Sequence, residues 1–155
     1  MSHDLIQIIA AFAGSLGFAL IFHVRGWPVL WSSVGGLMDW AVYLAAGHLI
    51  DNYIFQMFIA AFALGIYAEV MARVEKVPAT VYLAVGFIPL IPGAALYTMM
   101  RETFEHDLQG ILAQAEIAMY TALAISAGIL ITTGPIHILS ASAKRGRAEQ
   151  DSDKK

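Results

Sequence analysis

Long apolar segments, each with at most one charged residue, dominate the chain. The first, Leu5–Val24, is about as long as the hydrocarbon core of a bilayer, which a helix crosses in roughly 20 residues. Four more segments follow it, namely Pro28–Gly47, Ile54–Ala72, Ala79–Met100 and one that begins at Ile111 and fades near Gly134. This pattern predicts an all-α integral membrane protein, a bundle of about five transmembrane helices.

Composition supports the membrane interpretation. Of the 155 residues, 59% are hydrophobic and 14% are charged, whereas a soluble domain carries about 25% charged residues. A secretory signal peptide over the first segment is disfavoured, because Met1–Asp4 has no Lys or Arg and further spans follow. The chain has no cysteine, which excludes disulfides, zinc–thiolate sites and cysteine catalysis.

The short connections between the spans indicate an orientation. Basic residues lie in the first connection (Arg25), the third (Arg73 and Lys76) and the C-terminal segment (Lys144, Arg145 and Arg147). Five spans place these three regions on one side, which the positive-inside rule assigns to the cytoplasm. Arg101 in the fourth connection is the exception. We therefore expect an external N-terminus, a bundle over residues 1–139, and a charged, disordered cytoplasmic tail over residues 140–155.

The fourth span contains two prolines and a glycine near its midpoint, Pro89, Pro92 and Gly93. Each proline lacks a backbone donor and clashes with the carbonyl four residues earlier, so the carbonyls of Val85 and Ile88 should lose their helical partners. Transporters use interrupted helices of this kind to bind substrates in mid-membrane. A packing kink is the alternative, because proline and glycine are frequent in membrane helices.

Asp39 lies slightly past the middle of the second span, where a carboxylate is costly and should face the bundle interior or water. It shares one small, polar helix face with Ser32, Gly36 and Tyr43. The functional interpretation is a carboxylate that couples transport to protons or substrate. The alternative is a structural carboxylate that is hydrogen-bonded to a neighbouring helix.

Two further acids are candidates for proton coupling. Glu69 lies near the cytoplasmic end of the third span with Arg73 four residues later, which is most simply an interfacial ion pair. Glu116 lies one to two turns into the fifth span, near Gln114 and Tyr120. It either lines a pathway from the outer face or lies at the level of the lipid headgroups.

The remaining polar and aromatic residues predict no further chemistry. The five histidines have no i,i+4 pair and lie in loops or at span ends, so we expect no metal site. The basic segment 144–147 is too short for nucleic acid. Aromatic residues mostly near span ends are typical of an interfacial belt: Trp27, Trp31, Tyr53, Tyr82 and Tyr97. Small residues four apart predict close helix contacts: Ala10 with Gly14, Ala13 with Gly17, and Ala124 with Gly128.

Several segments together resemble a known transporter family. They are Leu16–Phe22, Gly35–Leu44, Ala68–Arg73, Pro78–Thr80 and Ile88–Tyr97. These segments resemble the threonine/serine exporters, and more specifically the smaller, YjjB-type half of the ThrE-like exporters. The double-proline block followed by Gly93 and Tyr97 is the most specific part. The resemblance is weaker over the fifth span and absent from the tail.

The resemblance implies proton-driven export of small amino acids such as threonine and serine, with some relatives linked to dicarboxylate export. The family's full transporter has ten spans, carried by one chain or by two. This chain matches the second half, so the resemblance implies a second five-span subunit as partner and no cofactor. Two such halves in tandem would insert in opposite orientations because five is odd, which gives the inverted repeat of many secondary transporters.

The leading hypothesis is therefore a non-enzymatic exporter subunit in a bacterial inner membrane, surrounded by lipid. Pro89, Pro92, Gly93 and Tyr97 would form the substrate site, and Asp39, Glu116 or Glu69 would take part in proton coupling. Two alternatives stay open: a non-transporting scaffold or regulatory subunit, and an exporter of another small carboxylate. A homo-oligomer also stays open. An intramembrane enzyme is a weak alternative, because no span pairs a nucleophile with a base.

Overall fold

The computed structural model describes the backbone of residues 2–152 and the side chains of residues 3–134, and within these residues it contains helices and no strands. Six α-helices follow in chain order: α1 (Ser2–Ile21), α2 (Pro28–Gly47), α3 (Tyr53–Glu75), α4 (Ala79–Gly86), α5 (Gly93–Glu105) and α6 (Leu108–Ser152). A short 3-10 turn (Ile88–Leu90) lies between α4 and α5.

The helices confirm the predicted membrane bundle. Four of them, α1, α2, α3 and α6, are long and apolar enough to cross a bilayer. The residues 79–90 and α5 pass the same test together, although they meet at an angle of 52°. The fourth predicted span is thus a broken helix, which gives five candidate spans in the described part of the chain.

Two boundaries in this part of the chain differ from the sequence-based expectation. Helix α1 ends at Ile21 and not at Val24, because His23 adopts a left-handed conformation (φ 57°) and Val24 N–H bonds back to the Ala19 carbonyl at 3.0 Å. Such a residue ends a helix by satisfying its last carbonyls. Helix α5 continues to Glu105, through residues that we expected in a loop. The loop between α5 and α6 is short because Asp107 caps α6, where its carboxylate accepts hydrogen bonds from the backbone N–H groups of Gln109 and Gly110.

The C-terminal part of the chain is one long helix. Helix α6 continues past Gly134, where the sequence predicts that the span fades, to Ser152. Side chains after residue 134 and all of residues 153–155 lie outside the described residues. The division into a bundle over 1–139 and a disordered tail over 140–155 therefore stays a prediction.

The break between α4 and α5 partly repairs the backbone bonding that the prolines remove. The sequence predicts that the Ile88 carbonyl loses its helical partner, but the N–H of Ile91 donates to it at 3.3 Å. This is the i+3 bond of a 3-10 turn, which replaces the i+4 bond that Pro92 cannot donate. Pro92 then precedes the first residue of α5, Gly93.

Helix α3 is the centre of the bundle. It packs against α2, α4 and α6, while α1 packs mainly against α2. Small and aliphatic residues on α3 are fully buried there, among them Ala60, Ala61, Leu64 and Ala68. Tyr82 of α4 is fully buried against Ala68 and Met71, so its assignment to the interfacial belt was wrong.

The small-residue pairs divide into two groups. Gly128 of α6 lies directly against α3, where an added Cβ would be 2.8 Å from the Phe58 carbonyl oxygen and 2.9 Å from the Phe62 nitrogen. This contact confirms the interface predicted for Ala124 and Gly128. By contrast, Gly14 and Gly17 of α1 are exposed, and no described atom beyond their own helix would lie within 4 Å of a Cβ there.

We expect Gly128→Ala to destabilise the chain by about 1–3 kcal/mol, because the methyl group would meet backbone atoms that cannot rotate away. Gly14→Ala is the matched control, which should be neutral or stabilising by up to about 1 kcal/mol through helix propensity. Thermal unfolding of the purified chain in detergent measures both. Equal melting temperatures for the two variants would contradict the close approach of α6 to α3.

Candidate functional site

Asp39 is the most unusual polar residue in the bundle. Its side chain is 0% exposed, and neither carboxyl oxygen has a hydrogen-bond partner among the described residues. Buried polar groups are almost always hydrogen-bonded, and an unpaired buried charge is particularly costly. The structural alternative, a carboxylate bonded to a neighbouring helix, therefore has no bond to support it in the described part of the chain.

The direction of Asp39 follows from two glycines on its helix. Gly35 faces α3, where an added Cβ would be 3.0 Å from the ring of Tyr67. Gly36 faces α1 and α4, where an added Cβ would meet the Ser15 side chain and be 3.4 Å from the Gly86 carbonyl oxygen. At about 100° per residue, Asp39 projects between these two directions. It therefore points into the junction of α1, α3 and α4.

Asp39 also lies at the level of the helix break. Gly36 is in contact with Gly86, the last residue of α4. Helices α2 and α4 run in the same direction because α3 returns between them, and Asp39 is three residues, or about 4.5 Å, further along α2. Moving about 4.5 Å beyond Gly86 in the same direction reaches the 3-10 turn, which packs against α1 and α2. The predicted carboxylate and the predicted break thus lie together.

Two other buried hydroxyl groups lack partners within the described residues. They are Ser15 Oγ on α1 and the Tyr82 hydroxyl on α4, and both residues are 0% exposed. The neighbouring serines of α2 differ, since Ser32 and Ser33 each donate to the Val29 carbonyl. Ser15, next to Gly36, adds a free polar group close to the stripe that carries Asp39.

A second site is an open cleft at the end of the bundle that carries the loop between α2 and α3. Its volume is about 650 Å³. The start of α3, the first turns of α5 and the first part of α6 line it: Asn52, Tyr53, Ile54, Ala94, Ala95, Thr98, Gln114, Glu116, Ile117 and Tyr120. We call it the α3–α5–α6 cleft. It brings Glu116 and the helix end created by the break into one cavity.

The mostly apolar cleft combines the partial positive charge of a helix N-terminus with one acidic side chain. Ala94 and Ala95 are the second and third residues of α5, and no side chain among residues 3–134 caps that helix end. Amide N–H groups at these positions have no acceptor within the helix, so they favour an anion. Glu116, an exposed residue of α6, supplies a carboxylate to the same cleft. A small zwitterion, with one carboxylate and one ammonium group, matches this arrangement.

The comparison with protein families decides the classification. The chain matches the family described as Threonine/Serine exporter, ThrE, over residues 7–134. The chain belongs to the threonine/serine exporter family. The match covers four of the candidate spans and most of the first, together with the Asp39 stripe, the helix break and the cleft. No curated protein and no solved structure matches the chain significantly.

The remaining predicted residues of this exporter-family chain lie in different surroundings. Pro89 and Pro92 are half-buried in the break, and Gly93 is exposed at the start of α5. Tyr97 is 66% exposed and does not line the cleft, whereas the adjacent Thr98 does. Glu69 is buried and pairs with the exposed Arg73 across 3.9 Å, which is the ion pair that the spacing predicts.

Sequence reasoning missed three residues at these sites, Ser15, Asn52 and Thr98. Ser15 carried no signal, because a single serine in an apolar span usually bonds to its own helix. Asn52, in the connection between α2 and α3, and Thr98, in α5, were not among the predicted site residues. Their common cleft depends on how α3, α5 and α6 meet, and the sequence periodicity of one helix does not contain that information.

Proposed function

We propose that this chain is one half of a proton-driven secondary exporter of threonine, serine and similar small amino acids in a bacterial cytoplasmic membrane. Family membership supports the substrate class, since the family is a threonine/serine exporter family. Proton coupling and the two-chain organisation are the parts that we add.

The observation that carries the proposal is the pairing of a helix N-terminus with a carboxylate in the α3–α5–α6 cleft. The amides of Ala94 and Ala95 would bind the carboxylate of the amino acid, and Glu116 would bind its ammonium group. The cleft also holds hydrogen-bonding side chains, those of Asn52, Thr98 and Gln114, that suit a side-chain hydroxyl. Sites built to hydrogen-bond a hydroxyl discriminate strongly against analogues that lack it.

Asp39 is the group that we assign to proton coupling. A carboxyl group that is buried and has no permanent partner is well suited to gain and lose a proton when its surroundings change. Its neutral form is far cheaper to bury than its ionised form. Because Asp39 lies beside the helix break, a movement of α5 against α4 would alter its surroundings directly. Such movement is the basis of alternating access around broken helices.

Helix α1 supports the assignment of a second subunit. Its small residues, Ala10, Ala13, Gly14 and Gly17, form an exposed face that no other helix of the described chain covers. Small faces of this kind allow two membrane helices to approach closely. The resemblance to the smaller exporter half implies a five-span partner, and this face is where we place it.

The proposal is tested by threonine and serine efflux from cells loaded with dipeptides. The chain is expressed alone, with a five-span subunit of the same family, or not at all. We expect efflux above that of control cells only when both subunits are present. Efflux that is unchanged in every combination, although the chain is inserted in the membrane, would contradict the export function and favour a scaffold. Selective efflux of a dicarboxylate would instead change the substrate class.

Glu69 is the least suited of the three acidic candidates. Its charge is already compensated by Arg73, and the exposed side chain of Arg73 makes this a weak interfacial pair. We expect Glu69→Gln to leave the rate of export within about twofold of the unmodified chain. Efflux measured over a range of external pH checks this. A loss of pH dependence in Glu69→Gln would place Glu69 in the coupling step.

A further inference from the structure

Three aromatic side chains form a continuous layer across α2 and the start of α3. The rings of Trp40 and Tyr43 are 4.8 Å apart, and those of Tyr43 and Tyr53 are 6.2 Å apart in an edge-to-face arrangement. Trp40 is also held to α1, because its Nε1–H donates to Gln7 Oε1 at 3.1 Å. We call Trp40, Tyr43 and Tyr53 the aromatic layer.

The aromatic layer lies between the two parts of the candidate site. Tyr43 is four residues after Asp39, so it lies one turn away on the same face of α2. Tyr53 lines the α3–α5–α6 cleft. Trp40 and Tyr43 also pack against the core cluster that contains Leu90 of the 3-10 turn. The contact between Tyr43 and Tyr53 therefore joins the helix face that carries Asp39 to the wall of the cleft.

We propose that the contact between Tyr43 and Tyr53 is a barrier that separates Asp39 from the α3–α5–α6 cleft, and that Asp39 becomes accessible from the cleft when the two rings part. The contact joins two different helices at their ends, and Tyr53 is the first residue of α3 and partly exposed. A small change at the start of α3 would separate the rings without unpacking the buried centre of that helix.

The barrier gives the two parts of the site different tasks. The cleft would hold the amino acid, and the closed rings would keep water and substrate from the carboxyl group. The inference rests on the proposed export function for its purpose, but access to position 39 is measurable without any transport. The chain has no native cysteine, so a single introduced thiol reports on one position.

The test uses Asp39→Cys as the reporter and a membrane-impermeant methanethiosulfonate as the probe. The rate of labelling is compared in Asp39→Cys alone and in the same chain with Tyr43→Ala or Tyr53→Ala. Tyr53→Phe keeps the ring and serves as the conservative variant, and Tyr97→Ala removes an exposed tyrosine outside the layer. Thr98→Cys, which lines the cleft, shows that the probe reaches the cleft itself. The probe is applied separately to each face of the membrane.

We expect Tyr43→Ala and Tyr53→Ala to raise the labelling rate at position 39 about fivefold or more, from the face that carries the loop between α2 and α3. Tyr53→Phe and Tyr97→Ala should leave the rate unchanged. Unchanged labelling in both alanine variants, with Thr98→Cys labelled rapidly, would overturn the barrier. An equal increase in Tyr97→Ala would also overturn it, because general loosening would then explain the result. If access rises as expected but the unmodified chain and its partner export no threonine, the barrier stands and the export function falls.

Discussion

Asp39→Asn is expected to abolish proton-driven threonine export while leaving the chain folded and inserted. The substitution keeps the size and shape of the side chain and removes its ability to exchange a proton. If Asp39 is the coupling group, uncoupler-sensitive efflux should fall by about tenfold or more. The measurement is efflux from dipeptide-loaded cells that express this chain with its partner.

The same variant should be at least as stable as the unmodified chain. Asp39 is fully buried without a hydrogen-bond partner among the described residues, and a neutral amide is cheaper to bury than a carboxylate. We therefore expect the melting temperature to stay the same or to rise by a few degrees. A residue whose removal costs function but not stability is one that was retained for its chemistry.

Asp51→Asn is the matched control, because Asp51 is an exposed acid in the loop between α2 and α3. It should leave both export and stability unchanged. Full uncoupler-sensitive export by Asp39→Asn would remove Asp39 from the coupling step. A large loss of stability in Asp39→Asn would instead favour a structural role for the carboxylate.

The double variant Pro89→Ala with Pro92→Ala is expected to join α4 and α5 into one continuous helix. Alanine would restore the two backbone donors, so the carbonyls of Val85 and Ile88 would regain i+4 partners. The 52° bend between the two segments should decrease. The open first turn of α5 would then close, because the amides of Ala94 and Ala95 would donate to the carbonyls of Leu90 and Ile91, four residues earlier in the joined helix. We expect export to fall by about tenfold or more.

Efflux measures the loss of export, and the distance between spin labels on α4 and α5 measures the straightening of the helix. Pro28→Ala is the control, because Pro28 is in the first turn of α2, where its missing donor has no helical acceptor. It should leave export unchanged. Unaltered export by the double variant, with a straightened helix, would make the break a packing kink and contradict a substrate site there.

The strongest sequence signals predicted the fold well. The second span agrees with the observed helix at both ends, since Pro28 suits a first turn and Gly47 precedes a polar loop. The break was predictable because two prolines remove specific donors. The end of α1 was not, since the left-handed conformation of His23 is set by local bonding that hydropathy does not reveal.

The candidate site was predictable only in part. The burial of Asp39 followed from the cost of a carboxylate in the membrane and from the small residues on its face. Its position beside the break depends on the contact between Gly36 and Gly86, which belong to different helices. Similarly, Glu116 was visible as an acid in a span, but its cleft with Ala94 and Ala95 exists only in three dimensions. The periodicity of a single helix shows which residues share a face, but it does not show which helix packs against that face.

The most direct test of proton-driven export through this chain is threonine transport into inverted proteoliposomes. These contain the chain and its five-span partner, and an imposed proton gradient drives the transport. We expect threonine to accumulate against its concentration gradient, a protonophore to abolish the accumulation, and Asp39→Asn to lose it. Threonine movement that is identical with and without the proton gradient would contradict proton-driven export through this chain.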